Sequence, residues 1–392
     1  MLNLPTFVKN QNFQKITEMK LVVSSSELVK NLSNISGVIA PNPLVPILEN
    51  FLFELEKSTL TITASDMQTV MVSEVTVDSS DTVSVAIPAK LLMDTLRSLP
   101  DQPITINISK DTFGVEITTS NGRFKIAGEN PLDFPKAPQV NRNFNIELDS
   151  HTLASAINNT LFATSTDDLR PAMTGVFVDI QEDSTTFVAT DGHRLIRYRR
   201  EDIKSATPTT MILPRKALNL IKSSLPSENV PVVTEFSNSN AFFSFGNIKL
   251  ICRLIDERYP DYENVIPKAN PNKMTIERSK FLSSLKRIAI FSNKTTHQIR
   301  LKITATELTI SAEDLDYSNE AVEKIDCEFA GEDMEIGFNA KFLAEMLSNL
   351  GSSTVTLELS MPNRAGLIIP ADKEENEDIL MLVMPVMLNS YS

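Results

Sequence analysis

Apolar residues recur along this chain with two alternating periods, and the alternation runs through three times. Spacings of three and four place Leu28, Leu32 and Ile35 on one face of a helix over residues 26–36. They do the same for Leu153, Ala156 and Ile157 over 150–159, and for Phe281, Leu282, Leu285 and Ile288 over 279–290. A short strand precedes each helix, over 20–23, 144–148 and 274–276. Runs of period two then predict a β-hairpin in each copy: 51–55 with 60–63, 175–180 with 186–189, and 299–304 with 308–311. The hairpins end at Asp66, Asp191 and Asp314. A second helix opens at Pro88-Ala-Lys90-Leu, Pro214-Arg-Lys216-Ala and Asn339-Ala-Lys341-Phe, and runs over 89–99, 215–224 and 340–349. Proline in a first helical turn and Asn at an N-cap both favour such starts. Ser24 and Glu27 have the spacing of a capping box.

The spacing holds across the chain. Asp66, Asp191 and Asp314 are 125 and 123 residues apart, and Lys90, Lys216 and Lys341 are 126 and 125 apart. Solenoid repeats are shorter, about 20–50 residues, so this period is that of a whole domain. The expected fold class is therefore α+β: three tandem similar domains, each with two helices packed on antiparallel sheets. The domains are drawn at 19–140, 141–269 and 270–392, with Pro- and Asn-rich linkers near 135–143 and 267–272. Residues 1–18 are left as a disordered N-terminal extension. They lack the apolar stretch of a secretory signal.

Charge changes the picture when it is located. The chain has 37 Lys and Arg against 50 Asp and Glu, a net charge of −13, which on average repels nucleic acid. The six helices, however, carry ten basic residues: Lys30, Lys90, Arg97, Arg215, Lys216, Lys222, Lys280, Lys286, Arg287 and Lys341. Against these stand only Glu27, Asp94 and Glu345, so the helices hold +7 and the rest of the chain −20. Glu has nearly the helix propensity of Lys and Arg, so propensity alone does not select the sign. Basic helix faces suit sequence-independent phosphate contacts. No single helix is basic enough to bind well, so several must converge on one ligand.

Enzyme chemistry finds little support. The eleven glycines form neither G-x-G-x-x-G nor G-x-x-x-x-G-K-[ST], which disfavours a nucleotide site. Cys252 and Cys327 form no C-x-x-C pair, so no zinc site, disulfide scaffold or other metal or cofactor is expected, and a reducing cytoplasm is the natural setting. Three histidines are present, His151, His193 and His297. Asp191 and His193 define the rival reading, an acid–base or metal hydrolase. The repeat argues against it, because Asp66 and Asp314 have no neighbouring histidine. An Asp accepting turn N–H groups is the simpler role. Asp167-Asp168 reads as a loop or helix start, residues 256–262 as an interdomain connection, and Glu374, Glu375, Glu377 and Asp378 as a solvated loop. The apolar run from Ile379 to Leu388 is about half a membrane span and contains Pro385. A buried strand is expected there, and no membrane contact.

Several segments carry a resemblance. Phe162-Ala-Thr-Ser-Thr-Asp-Asp-Leu-Arg170-Pro171, Ala189-Thr-Asp-Gly-His-Arg-Leu195, Tyr259-Pro-Asp-Tyr-Glu-Asn-Val-Ile-Pro267, Pro46-Ile-Leu48 and Val383-Met-Pro-Val-Met-Leu388 resemble the bacterial DNA polymerase III β sliding clamp family. The resemblance runs in order from Met19 to Leu388. It implies the DNA clamp fold and a head-to-tail homodimer ring that encircles double-stranded DNA without reading its sequence. It also implies a non-enzymatic, cytoplasmic processivity factor in DNA replication and repair. The implied partners are the polymerase III alpha subunit, clamp-loader subunits and other proteins carrying a clamp-binding motif. The matching partner-peptide pocket comprises Met173, Thr190, Gly192, His193, Arg194, Leu195, Pro260, Val265, Leu382, Met384, Pro385 and Met387. The matching ring interface comprises Phe124 and Ile126 of domain one with Ile290 and Phe291 of domain three. Asn42 stands where the family often has a DNA-contacting Arg, and Met387 where it usually has Arg. Residues 389–392 pass the family's usual end. A monomeric protein-binding scaffold is the remaining alternative.

Overall fold

The computed structural model describes residues 18–138 and 144–388. The expectations for 1–17, for the linker over 139–143 and for the tail 389–392 lie outside the described residues. The chain divides into two compact units: residues up to 139 together with Gly246–Ile251, and the remainder.

Among the described residues the α-helices are α1 (Ser25–Ser36), α2 (Ala89–Arg97), α3 (Ser150–Thr160), α4 (Arg215–Ser224), α5 (Arg278–Ala289) and α6 (Ala340–Asn349). All start and stop within two residues of the sequence expectation. The first helix of each repeat, α1, α3 and α5, buries the apolar stripe that predicted it. Leu28, Leu32 and Ile35 are fully covered in α1, and Phe281, Leu285 and Ile288 in α5, while Leu282 stays half-buried. Burial of such a side chain stabilises by about 1.5–3 kcal/mol.

The helix starts follow from side-chain chemistry. Asp149 Oδ1 accepts the Thr152 N–H at 2.9 Å, and Asn339 Oδ1 accepts those of Lys341 and Phe342 at 2.9 and 3.3 Å. Ser24 Oγ accepts the Glu27 N–H at 3.4 Å, which is half of the expected capping box. Pro88 and Pro214 differ from expectation. They close the strands Thr82–Pro88 and Thr209–Pro214 and stand just before the first helical residue, not inside the first turn. Both strands end their row of strands, where a residue without an N–H is tolerated.

In the first unit, Glu18–Ser24, Pro103–Ser109, Gly114–Thr118 and Arg123–Ala127 lie side by side in that order, all antiparallel. Thr82–Pro88, Asn50–Glu56, Thr59–Ser65 and Thr69–Thr76 form a second antiparallel row. Asn31, buried on α1, accepts hydrogen bonds from Ser73 Oγ at 2.8 Å and from Asn247 Nδ2 at 2.6 Å.

The second unit is built on a nine-stranded antiparallel sheet. Its order is Thr209–Pro214, Gly175–Ile180, Thr185–Thr190, Arg194–Arg200, Glu377–Val383, Gly366–Pro370, Thr354–Leu359, Asn272–Glu277 and Glu328–Ala330. The middle and last repeats therefore meet where Arg194–Arg200 pairs with Glu377–Val383, from Arg194 opposite Val383 to Arg200 opposite Glu377. A separate sheet runs Asn319–Asp326, Glu307–Asp314, Gln298–Ile303, Met334–Asn339.

Two expectations change at this seam. Glu377 and Asp378 are not in a solvated loop. Glu377 accepts the Tyr198 hydroxyl at 2.8 Å and sits 3.5 Å from Arg200, and Asp378 pairs with Arg197 at 2.9 Å and Lys373 at 2.8 Å. Arg197 and Arg200 on the facing strand draw the carboxylates in. The final apolar run is also not one strand. It leaves the sheet after Val383, and Val386 donates instead to the Gly337 carbonyl at 2.9 Å.

Candidate functional site

The segment after Thr190 makes a tight turn. Gly192 has φ +90°, a left-handed conformation that L side chains seldom adopt. Asp191 Oδ1 accepts the N–H groups of His193 and Arg194 at 2.9 and 3.0 Å, and Thr190 Oγ1 donates to the Arg194 carbonyl at 2.7 Å. The aligned aspartates do the same work. Asp66 Oδ1 accepts the N–H groups of Gln68 and Thr69 at 2.9 and 2.6 Å, and Asp314 Oδ1 that of Asp316 at 3.2 Å. The other Asp191 oxygen takes Arg194 Nε at 3.1 Å. Its carboxylate is thus committed to the turn and to Arg194, and the exposed His193 ring stacks on Phe342 at 6.0 Å instead. The acid–base pair of the hydrolase reading does not form.

This turn borders an apolar floor shared by the middle and last repeats. Leu195 and Leu382 face each other across the seam and are buried with Val188, Tyr259 and Leu367. The Met384 N–H donates to the His193 carbonyl at 2.9 Å. Met384 is exposed, and Pro385 and Pro260 are half-buried. Met173 and Val265 sit on two short turns, Pro171–Thr174 and Glu263–Val265, whose neighbours Ala172 and Ile266 pack on the floor. Met387 is 77% exposed and is held through its carbonyl by Gln298. Tyr259 stacks on Phe177 at 4.8 Å. Burial raises the Tyr259 phenol far above its usual value, and burial followed by the charge of Glu263 pushes Tyr262 up to about 12. Both rings stay neutral and apolar in character.

Sequence reasoning missed Phe162, Phe342 and Glu345. All three surround the Arg194 side chain, which is only 7% exposed. No local signal marks them, because Glu345 is 151 residues from Arg194. A further cleft, bordered by Thr210, Ser239, Asp256 and Tyr262, shares only Pro260 with the expected pocket.

The ten basic helix residues are exposed except Arg215, which is half-buried. Lys280 pairs with Glu277 at 2.8 Å, and Arg287 with both oxygens of Glu323 at 2.7 and 2.6 Å. Such exposed pairs are weak, about 0–1 kcal/mol, and do not commit these cations. Arg278, which opens α5, turns inward and donates to the carbonyls of Ser352 and Leu347 at 2.7 and 2.9 Å. Asn42 lies on an exposed loop with φ +55°. Of the interface candidates, Ile290 is 66% and Phe291 40% exposed, Phe124 is at the edge of exposure, and Ile126 is 4% exposed within its own domain. Asp167 holds a turn by accepting the Leu169 N–H at 3.0 Å and pairs with Arg170, so Asp167-Asp168 plays the expected loop role. Among the described residues no cluster of His, Cys, Asp and Glu could hold a metal ion, and no helix is long and apolar enough to cross a membrane.

Three copies of a two-helix α+β domain, with an apolar floor shared by two of them and basic helix faces, define a repeat-built binding protein. Its relatives specify the kind. Models of the DNA polymerase III beta subunit match in sequence: the N-terminal domain over residues 19–138, the central domain over 147–261 and the C-terminal domain over 263–387. The chain is 30% identical to the beta sliding clamp of Synechocystis sp., covering 94% of this chain and 100% of that one. It is 27% identical to that of Vibrio cholerae, with the same coverage. The crystal structure of a sliding clamp from Pseudomonas aeruginosa bound to griselimycin superposes with a TM-score of 0.89 at 28% identity, again over 94% and 100%. This chain belongs to the DNA polymerase III beta subunit family, the beta sliding clamps. It is a processivity factor of DNA replication and not an enzyme.

Proposed function

We propose that two copies of this chain close head to tail into a ring around double-stranded DNA. The ring slides without reading sequence and tethers the polymerase III alpha subunit, clamp-loader subunits and other clamp-binding-motif proteins. The observation that carries this reading is the placement of charge. Basic side chains stand on exposed helix faces in all three repeats, although the chain as a whole is at −13. Many weak phosphate contacts with an acidic exterior suit DNA that passes through rather than DNA that is gripped. A head-to-tail contact that closes needs no high DNA affinity, because topology retains the ligand.

The ring contact is assigned to two sheet ends. Arg123–Ala127 ends its sheet with Phe124 at the surface, and Asn319–Asp326 ends another close to the α5 terminus that bears Ile290 and Phe291. An uncovered strand edge favours pairing with a strand of another chain. Ile126 would then act by shaping its own strand, since its side chain is already buried. The groove of His193, Leu195, Leu382 and Met384 takes the partner segment. Its methionines adapt to differing apolar anchors.

Arg215, Lys216 and Lys222 changed together to Ala test the helix faces. DNA affinity of the loaded protein should fall, and the slope of log K against log salt should flatten by about 0.9 for each phosphate no longer neutralised. An unchanged slope would place α4 away from DNA.

A further inference from the structure

Arg194 belongs to the expected pocket, yet each nitrogen of its guanidinium already bonds within the protein. Nε donates to Asp191 Oδ2 at 3.1 Å, Nη2 to the Phe162 carbonyl at 2.8 Å, and Nη1 to the Glu345 carboxylate. The guanidinium carbon lies 5.4 Å from the Phe162 ring centre and 4.7 Å from that of Phe342. Asp191 and Phe162 belong to the middle repeat, and Glu345 and Phe342 to α6 of the last. Phe342 and Glu345 are three apart on that helix and so share a face. The Phe342 ring meets both Arg194 and His193, whose carbonyl in turn holds Met384.

We infer that Glu345 is a positioning residue for the partner groove. Through Arg194 it ties α6 to the 190–195 turn and fixes where Phe342 stands beside His193. The groove wall, and with it the fit of an apolar-anchored peptide, then depends on a carboxylate bonded to Arg194 and not to the peptide. The inference rests on the reading of this groove as the partner site. Its physical basis is the two-sided demand on Arg194. A nearly buried cation needs compensation, and one of its two carboxylates comes from the neighbouring repeat. The Glu345 side chain is 51% exposed against 17% for Asp191, so on its loss water replaces it while Asp191 still balances the cation; the fold persists, but α6 loses its charged tie to the turn.

The test uses the full chain and a fluorescein-labelled short peptide with Leu and Phe anchors for the apolar floor, followed by fluorescence anisotropy. Glu345→Gln should weaken peptide binding by about fivefold, the size of a modest coupling between contacting groups. Its thermal midpoint should match that of the parent. In a Phe342→Leu background the same change should have no further effect, because the residue through which it acts is gone. Unchanged affinity in Glu345→Gln overturns the inference. So does an effect that simply adds to that of Phe342→Leu, or a loss of affinity matched by early melting. Failure of the parent protein to bind the peptide overturns the groove reading itself, and this inference with it.

Discussion

Asp66, Asp191 and Asp314 each accept backbone N–H groups at the turn after a hairpin strand, and only Asp191 also holds a buried arginine. Their replacement by Ala should therefore differ in cost. Asp66→Ala loses hydrogen bonds to turn N–H groups that water can replace, a cost of about 1 kcal/mol. Asp191→Ala also strips one carboxylate from a cation that is 7% exposed, which raises the expected cost to about 3 kcal/mol. Urea denaturation of the two variants compares them directly, and equal costs would mean that Arg194 does not depend on Asp191. Asn42 is the other residue whose backbone speaks for its identity. Its φ of +55° suits Asn better than most side chains. The resembling family often has Arg there, a side chain to which this backbone conformation is less suited.

At the scale of elements, the helices were legible because each has one wet and one dry face, and the period of 3.6 records that directly. The repeated Asp turns were legible because the same residue recurs at domain spacing. The seam was not. A run of Glu374, Glu375, Glu377 and Asp378 looks solvated until the register sets Arg199 and Arg200 opposite Asp378 and Glu377. Nor was the Arg194 cluster, whose parts come from α6 and from a turn far back in the chain. Register and long-range contact are properties of the folded sheet, and no local window contains them. The seam also makes a pH prediction. Burial raises the phenols of Tyr198, Tyr259 and Tyr262, the last to about 12. A group whose folded value lies above its unfolded one keeps its proton longer in the fold. The stability this gives is complete below about pH 10 and is lost as pH rises through the folded values. The urea midpoint should therefore drop as pH rises from about 10 toward 12. The drop should be smaller in Tyr259→Phe/Tyr262→Phe, and an equal drop in that variant would assign the alkaline loss to other groups.

For the whole molecule, the net charge of −13 no longer opposes a DNA-handling role. It is the sum of basic helix faces and a more acidic remainder, and such a protein is poorly suited to grip DNA from outside. Retention then has to come from closure, which makes it a property of the DNA's topology and not of its sequence. The direct measurement is to assemble the protein with its clamp loader on a nicked circular plasmid, pass the complex through gel filtration at high salt, and cut the plasmid once. The ring account predicts protein that stays with the circle and leaves the linear form by running off its ends. Protein that remains equally bound after the cut, or that never survives on the circle, would contradict it.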